Sequence, residues 1–540
     1  MGKSLLAPTL MGLAPYAGEW TATQAAHLLR RTGFGLVPEE LEQLTGMAMA
    51  DAVDLLLTDQ PLPESPINYN YLLDPNVPLG APWSGNPLIA GLNLNQYRNQ
   101  SLRSWIIDNI RKERLSIRER MAEFWANHFA IAGGGQPQVR LDYHMLLEEF
   151  ALGNFKELVK RITIDKAMMV FLNGNQNSAN SPNENYAREV LELFTVGKGP
   201  QIAEGDYTNY TEDDVRALAR ALTGWRTRNF YNTAPGSFPE VFFQANRHDT
   251  TDKQLSYHFN DDVITNGGEE EYKQVVDRIF QQAAVARHIC RKLYRHFVYY
   301  KISEQEENEI VEAMAQILED NDFEIKPVLR ALFMSQHFYD LDNQGPMIKN
   351  PLQLVGGLMR SFNHDYQIDD FTLEQERRLL VYYYFRAALM DMDYFDPPSV
   401  AGWEAYYQAP GFSRIWINSS TLQERTRFTL TMTSNNGFGV GNGVRAKFDY
   451  LGWIKLLPNA TDPNALITGI VERLLPRSLT DGQLANLKEA LIPGLPDFEW
   501  TVEYGDHIAN PNDDDLAASV EAKLRDLFRA VFSLAEFQLV

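Results

Sequence analysis

The stretch Ser181-Pro182-Asn183-Glu184-Asn185-Tyr186-Ala187-Arg188-Glu189-Val190-Leu191-Glu192-Leu193-Phe194 decides how the chain is read. Ser181 fits an N-cap, Pro182 the first helical position, and Glu184 the acid that reaches back to close a capping box. At about 100° per residue, Tyr186, Val190 and Leu193 share one apolar face, with Asn185, Glu189 and Glu192 as a ridge beside it. Arg188 precedes Glu192 at the i, i+4 ion-pair spacing. Gly197 lies just past the end, where a helix stops.

The same pattern recurs in both directions. Thr211-Glu212-Asp213-Asp214 opens another helix in the same manner, and Gly224 closes it. Upstream, Thr21 begins a helix that ends at a Gly33-Phe34-Gly35 turn, and Pro38 starts the next. Helical spacing is also read over 99–131, 138–151 and 154–164, then from about 270 through 285–300, 304–319, 325–337, 349–363 and 375–390. Gly133-Gly134-Gly135 reads as a helix stop, since no Lys-Ser/Thr follows to make a phosphate cradle. Residues 60–96, rich in Pro, Asn and Gly, form a long irregular connection of the kind that packs over a functional surface. Residues 226–262 suggest a small β-hairpin. The expected fold is therefore mainly α: a large multi-helix globular domain with long irregular loops. An N-terminal extension is expected over 1–20, a main helical domain over 21–430, and a C-terminal helical extension over 431–540, packed on the main domain.

Composition narrows the partners. Lys and Arg total 49 against 71 Asp and Glu, a net charge of −22, which repels phosphate backbones and anionic lipid; no nucleic-acid partner is expected. No apolar run of about 18 residues occurs, so no transmembrane segment is expected. The mildly apolar N-terminus is broken by Pro8 and Pro15 and makes a poor signal peptide. The single cysteine, Cys290, reads as a buried, inert thiol. A weak internal repeat aligns 328–338 with 527–537; it places His337 opposite Glu536, which removes His337 as a catalytic candidate.

No Walker loop, His-Glu-x-x-His, Gly-x-Ser-x-Gly or paired Cys-x-x-Cys is present. The candidates are looser. Glu189 and Glu192, one turn apart, have the spacing to share a metal or to divide acid and base roles; the alternative is a salt-bridged flank. His128 shares a face with Met121 and Phe124 and is a metal ligand or a hydrogen-bonded core residue. Asn127 beside it orients a ligand or fixes a loop. His248-Asp249 sits in a polar loop as ion ligand and proton shuttle, or as a turn. His288 and His296 lie on a basic helix whose charge receives an anion or pairs with acids. Trp416 and Asn418 offer a stacking and hydrogen-bonding surface, or a core plug with a helix cap.

Several segments together resemble one bacterial family, that catalogued as domain of unknown function 1800. They are Ala26–Gly35, Met121–Phe129, Asn183–Thr195, Ala219–Trp225, His248-Asp249, Pro397–Trp403 and Trp416–Ser419. The resemblance implies a helical, usually exported protein, secreted or in the periplasm or cell envelope, with a companion of the alkaline phosphatase/sulfatase class. It implies no activity, cofactor or catalytic set. The weak N-terminal signal leaves a cytoplasmic location open.

Two readings follow. The preferred one is a secreted or cell-envelope helical scaffold acting with a partner. The alternative is a metal-dependent, hydrolase-like enzyme. Its catalytic residues would be Glu189, Glu192 and His248; its divalent metal ion would sit on His128, Glu189 and His248; Asn127, Asn185, Arg188, Asp249, Trp416 and Asn418 would bind the ligand.

Overall fold

The computed structural model describes residues 12–133, 135–230, 234, 237–362 and 370–540. The first part of the expected N-terminal extension and the middle of the Gly133–Gly135 run lie outside them. The chain is mainly α-helical, and its sheets are small two-stranded pairs. The hairpin expected within 226–262 is present: Trp225–Arg228 pairs antiparallel with Glu240–Phe243, and Lys253–Gln254 with Val263–Ile264. Among the described residues no helix is long and apolar enough to cross a membrane.

Local chemistry explains most helix starts. Thr211 and Asp214 form a complete capping box at the head of Glu212–Ala221, and Asn418 caps Ser419–Met432 through Ser420 N and Thr421 N. The stretch that opened the reading is corrected in two respects. Its cap is Asn183, whose side chain accepts from Tyr186 N, so the helix begins at Glu184 rather than after Ser181. It also stays α-helical only to Glu189 and then widens into a π-helical turn, Val190–Phe194. The wider turn rotates the later side chains. Leu191 and Phe194 are buried with Tyr186 and Val190, while Leu193 is only half-buried.

Apolar side chains gather into two large clusters. One draws on residues from Ala25 to Tyr339, the other on residues from Phe34 to Phe537. The two halves of the weak repeat fall one in each. Ile325–Phe333 and Asp514–Phe532 are each followed by a short 3-10 turn that buries an equivalent aromatic, Phe338 or Phe537.

The helix Arg118–His128 runs along the seam. It buries Glu119, Arg120, Met121, Ala122, Glu123, Phe124, Trp125 and His128, so it is enclosed on every side although it is rich in charge. Arg120 pairs with Glu123, and its guanidinium lies over the Phe34 ring. The other Glu123 oxygen accepts from Asn350 Nδ2 at 2.6 Å and Tyr406 Oη at 2.7 Å. Two more buried arginines stitch the seam. Arg31 donates to the carbonyls of Val298 and Asn343, and Arg360 donates to Glu40 and to the carbonyl of Glu113.

Removing one partner of a buried ion pair strands the other charge in low dielectric and costs about 3–5 kcal/mol. Arg120→Leu is therefore expected to lower the urea midpoint by that equivalent, and Arg120→Leu combined with Glu123→Leu to recover part of the loss. An unchanged midpoint in Arg120→Leu would contradict this account of the seam.

Candidate metal centre

Three helix segments meet at the seam. The Leu94–Lys112 helix ends at its C-cap, Glu113. The Arg118–His128 helix starts a few residues later and presents Glu119 in its first turn. The Pro137–Glu149 helix presents His144 and Glu148, four residues apart and therefore on one face. One donor atom from each of Glu119, His144 and Glu148 lies within 4.8 Å of the other two, and all three residues are buried. His144 Nε2 lies 3.0 Å from Glu148 Oε1. Tyr394 Oη, 3.3 Å from His144 Nδ1, and Trp105, edge-on to the imidazole, hold the ring in place.

Negative charge is under-compensated here. Arg118 bridges Glu148 Oε2 at 3.1 Å and Glu119 Oε1 at 3.4 Å. Arg360 is taken up by Glu40. Glu113 spends one oxygen on Glu119 N, and its other oxygen, Oε2, is buried without a hydrogen-bond partner. Four carboxyls thus face two guanidiniums, two negative charges in excess, to be balanced by protons or by a divalent cation. Burial pushes the Glu113 and Glu148 carboxyls up to about 8. Burial and the neighbouring Glu148 push Glu119 well above the usual carboxylate range. Burial and the adjacent Arg118 lower His144 to about 3, so its imidazole is neutral and free to act as a ligand.

Outside the cluster lies a cleft of about 550 Å³, within the range of small-molecule sites. Its wall includes Glu113 and Arg118 on the cluster side, Trp105 and Tyr69 as aromatic faces, and the start of the long irregular connection, from Gln60 to Ile67. Arg118 Nη1 donates to Pro61 O, so one guanidinium touches the cluster and the rim of the cleft.

The structure distributes the candidates chosen from sequence rather than gathering them. Glu192 is bonded to Tyr210 and paired with Lys198 at 3.3 Å. Arg188 reaches Glu192 only at 3.7 Å and makes a bidentate pair with Glu212, at 2.7 and 2.6 Å. Glu189 is half-buried, raised by burial and by Glu192, and Asn185 is exposed. His248 uses both ring nitrogens, on Glu271 at 2.9 Å and the Thr223 carbonyl at 2.9 Å. Lys253 completes that buried triad from the other Glu271 oxygen. Asp249 pairs with Arg220 at 2.8 Å. Asn127 accepts from Trp403 N at 3.0 Å and fixes a loop. Trp416 is a core plug, and Asn418 spends its side-chain oxygen on the cap.

The expected metal set of His128, Glu189 and His248 is therefore corrected. Among the described residues the donor group is Glu119, His144 and Glu148, none of which the motifs singled out. The available signal was an imidazole and a carboxylate four apart on a helix whose other face is apolar. His128 does meet the end of the Glu184–Phe194 segment, but through the main chain. Its Nε2 donates to Phe194 O at 3.1 Å, and its Nδ1 accepts from Lys292 Nζ at 3.0 Å. His288 Nε2 and Lys292 Nζ both donate to Leu193 O.

Burial and the nearby Lys292 hold His288 down to about 3, against about 6.5 for an unfolded histidine. Between those values the unfolded chain binds one more proton, so this contribution is present above pH 6.5 and is lost as pH falls. Between about pH 6 and 4, wild type should lose about 1.4 kcal/mol more stability per pH unit than His288→Asn. Parallel stability–pH curves for the two proteins would refute it.

The chain matches no curated protein and no solved structure. The family model described as a protein of unknown function, DUF1800, matches residues 27–539, well beyond the quoted segments and nearly the whole length. Over that span the chain belongs to the DUF1800 family.

Proposed function

We propose that this protein is a metal-dependent enzyme of hydrolytic type, with one divalent ion on Glu119, His144 and Glu148 and a polar substrate in the cleft beside them. The observation that carries the reading is the buried donor set with the unpartnered Glu113 Oε2 next to it. Core packing alone has no use for two carboxyls against an imidazole with a third, Glu113, beside them, because each buried charge without a partner is costly.

The donor types support the reading. Two carboxylates and one imidazole suit zinc, iron or manganese better than the all-oxygen shells of calcium and magnesium. Three protein donors leave coordination positions for water or substrate, as catalytic sites require. Tyr394 at the far ring nitrogen is the kind of outer partner that orients a metal-bound histidine. When bound, such an ion would act as a Lewis acid and make water a better nucleophile. The chain's own groups have complementary roles. Arg118, in contact with both cluster and rim, would orient an anionic part of the substrate, and Glu113, which burial keeps protonated at neutral pH, would donate a proton from Oε2.

The test is elemental analysis and calorimetric titration of the purified protein with zinc, manganese and ferrous iron. Wild type is expected to take about one ion per chain. Glu148→Gln and His144→Asn should bind at least ~tenfold more weakly, as loss of one ligand implies, while keeping the wild-type circular dichroism. Turnover of chromogenic esters or phosphoesters should track ion content. No binding by wild type, or equal binding by both variants, would reduce the cluster to carboxyls sharing protons and return the protein to the scaffold reading.

A further inference from the structure

We propose a second site: the small recess between Arg30, Lys349 and Arg473 binds one oxyanion group, phosphate or sulfate. It shares no lining residue with the cleft or the cluster, and the inference does not depend on the metal reading.

The three cations arrive from separate parts of the chain. Arg30 sits in the last turn of Ala22–Thr32, Lys349 just before Pro351–Ser361, and Arg473 near the end of Pro463–Leu474. Each head group is aimed by main-chain carbonyls. Arg30 Nη2 donates to Glu472 O at 2.7 Å, Lys349 Nζ to Phe537 O at 2.7 Å, and Arg473 Nη2 to Leu456 O at 3.2 Å. These bonds hold the side chains and leave most of their donors unspent. Among the described residues, no carboxylate forms an ion pair with any of the three. Arg473 Nε is a buried donor without an acceptor.

In a chain of net charge −22, Glu39, Glu42 and Glu472 lie near enough to act on Arg473, yet among the described residues none closes to ion-pair distance on any of the three cations. Burial, with repulsion from Arg30 and Arg425, holds Lys349 down to about 7. An anion in the recess would offset the repulsion on Lys349, and two guanidiniums with one ammonium match a multiply charged oxyanion. The size fits. The recess holds about 40 Å³, space for roughly three waters, the scale of one phosphate group. Gly35, at φ +79°, lets the backbone pack closely on Gly357 beside the recess: a Cβ there would lie 2.5 Å from Gly357 Cα.

Calorimetry and thermal unfolding of the full chain in inorganic phosphate and in sulfate, against chloride at matched ionic strength, test the site. Wild type should bind phosphate and gain melting temperature. Arg473→Gln and Lys349→Met should bind at least ~tenfold more weakly, the loss of one charge-assisted contact. Arg473 is only half-buried, so its variant carries the test if Lys349→Met unfolds. Tighter binding of glycerol phosphate than of inorganic phosphate would assign the recess to a phosphorylated small molecule, and equal binding to the free ion. No binding by wild type, or the same stabilisation in wild type and Arg473→Gln, would overturn the proposal.

Discussion

A charge on a buried helix is costly to leave unanswered, and this structure is organised around a helix that carries several. Arg118–His128 lies between the two apolar clusters and buries Glu119, Arg120, Glu123 and His128. Three of these groups recruit a partner from a distant part of the chain: Asn350 and Tyr406 for Glu123, Phe34 for Arg120, the end of the π-helical turn for His128. The cost of an unpaired buried charge, several kcal/mol, exceeds what any single apolar contact contributes. The helix thereby fixes which elements stand next to it.

Buried polar groups here fall into two kinds. Some are fully answered: His248, Glu271 and Lys253 close on one another, and Arg188 and Glu212 meet edge to edge. Such groups have no unspent capacity and are explained by stability and register. Others are not answered. The carboxyls around His144 exceed their cations, and the cations around Lys349 form no ion pair. These two imbalances, opposite in sign, are where a ligand would supply the missing charge. Both lie where elements distant in sequence converge.

The candidate site was hidden by this same convergence. Glu119 follows Arg118 and precedes Arg120, and in a sequence such a run reads as a solvated helix start. His144 and Glu148 sit four apart in a helix whose pattern reads as ordinary amphipathic packing. The segments that stood out, around Glu189 and His248, are polar and loop-rich, which draws the eye toward chemistry. In the folded chain His248 is spent on Thr223 and Glu271, and Glu192 on Tyr210 and Lys198. The π-helical turn adds a second reason: a face assigned at 100° per residue no longer holds after Glu189, so Leu193 sits half-buried at the core's edge and its carbonyl becomes the meeting point of Lys292 and His288.

What the sequence determined by itself was local. Helical periodicity, the caps at Thr211 and Asn418, the hairpin after Trp225 and the family resemblance all depend on residues a few positions apart, and short-range hydrogen bonds and side-chain spacing suffice for them. Which charges would be buried together was decided only by tertiary structure. Glu113, Glu119 and Glu148 become neighbours, and Arg30, Lys349 and Arg473 face one recess, because packing two apolar clusters against one charged helix brings them there. No pattern along the chain encodes that distance.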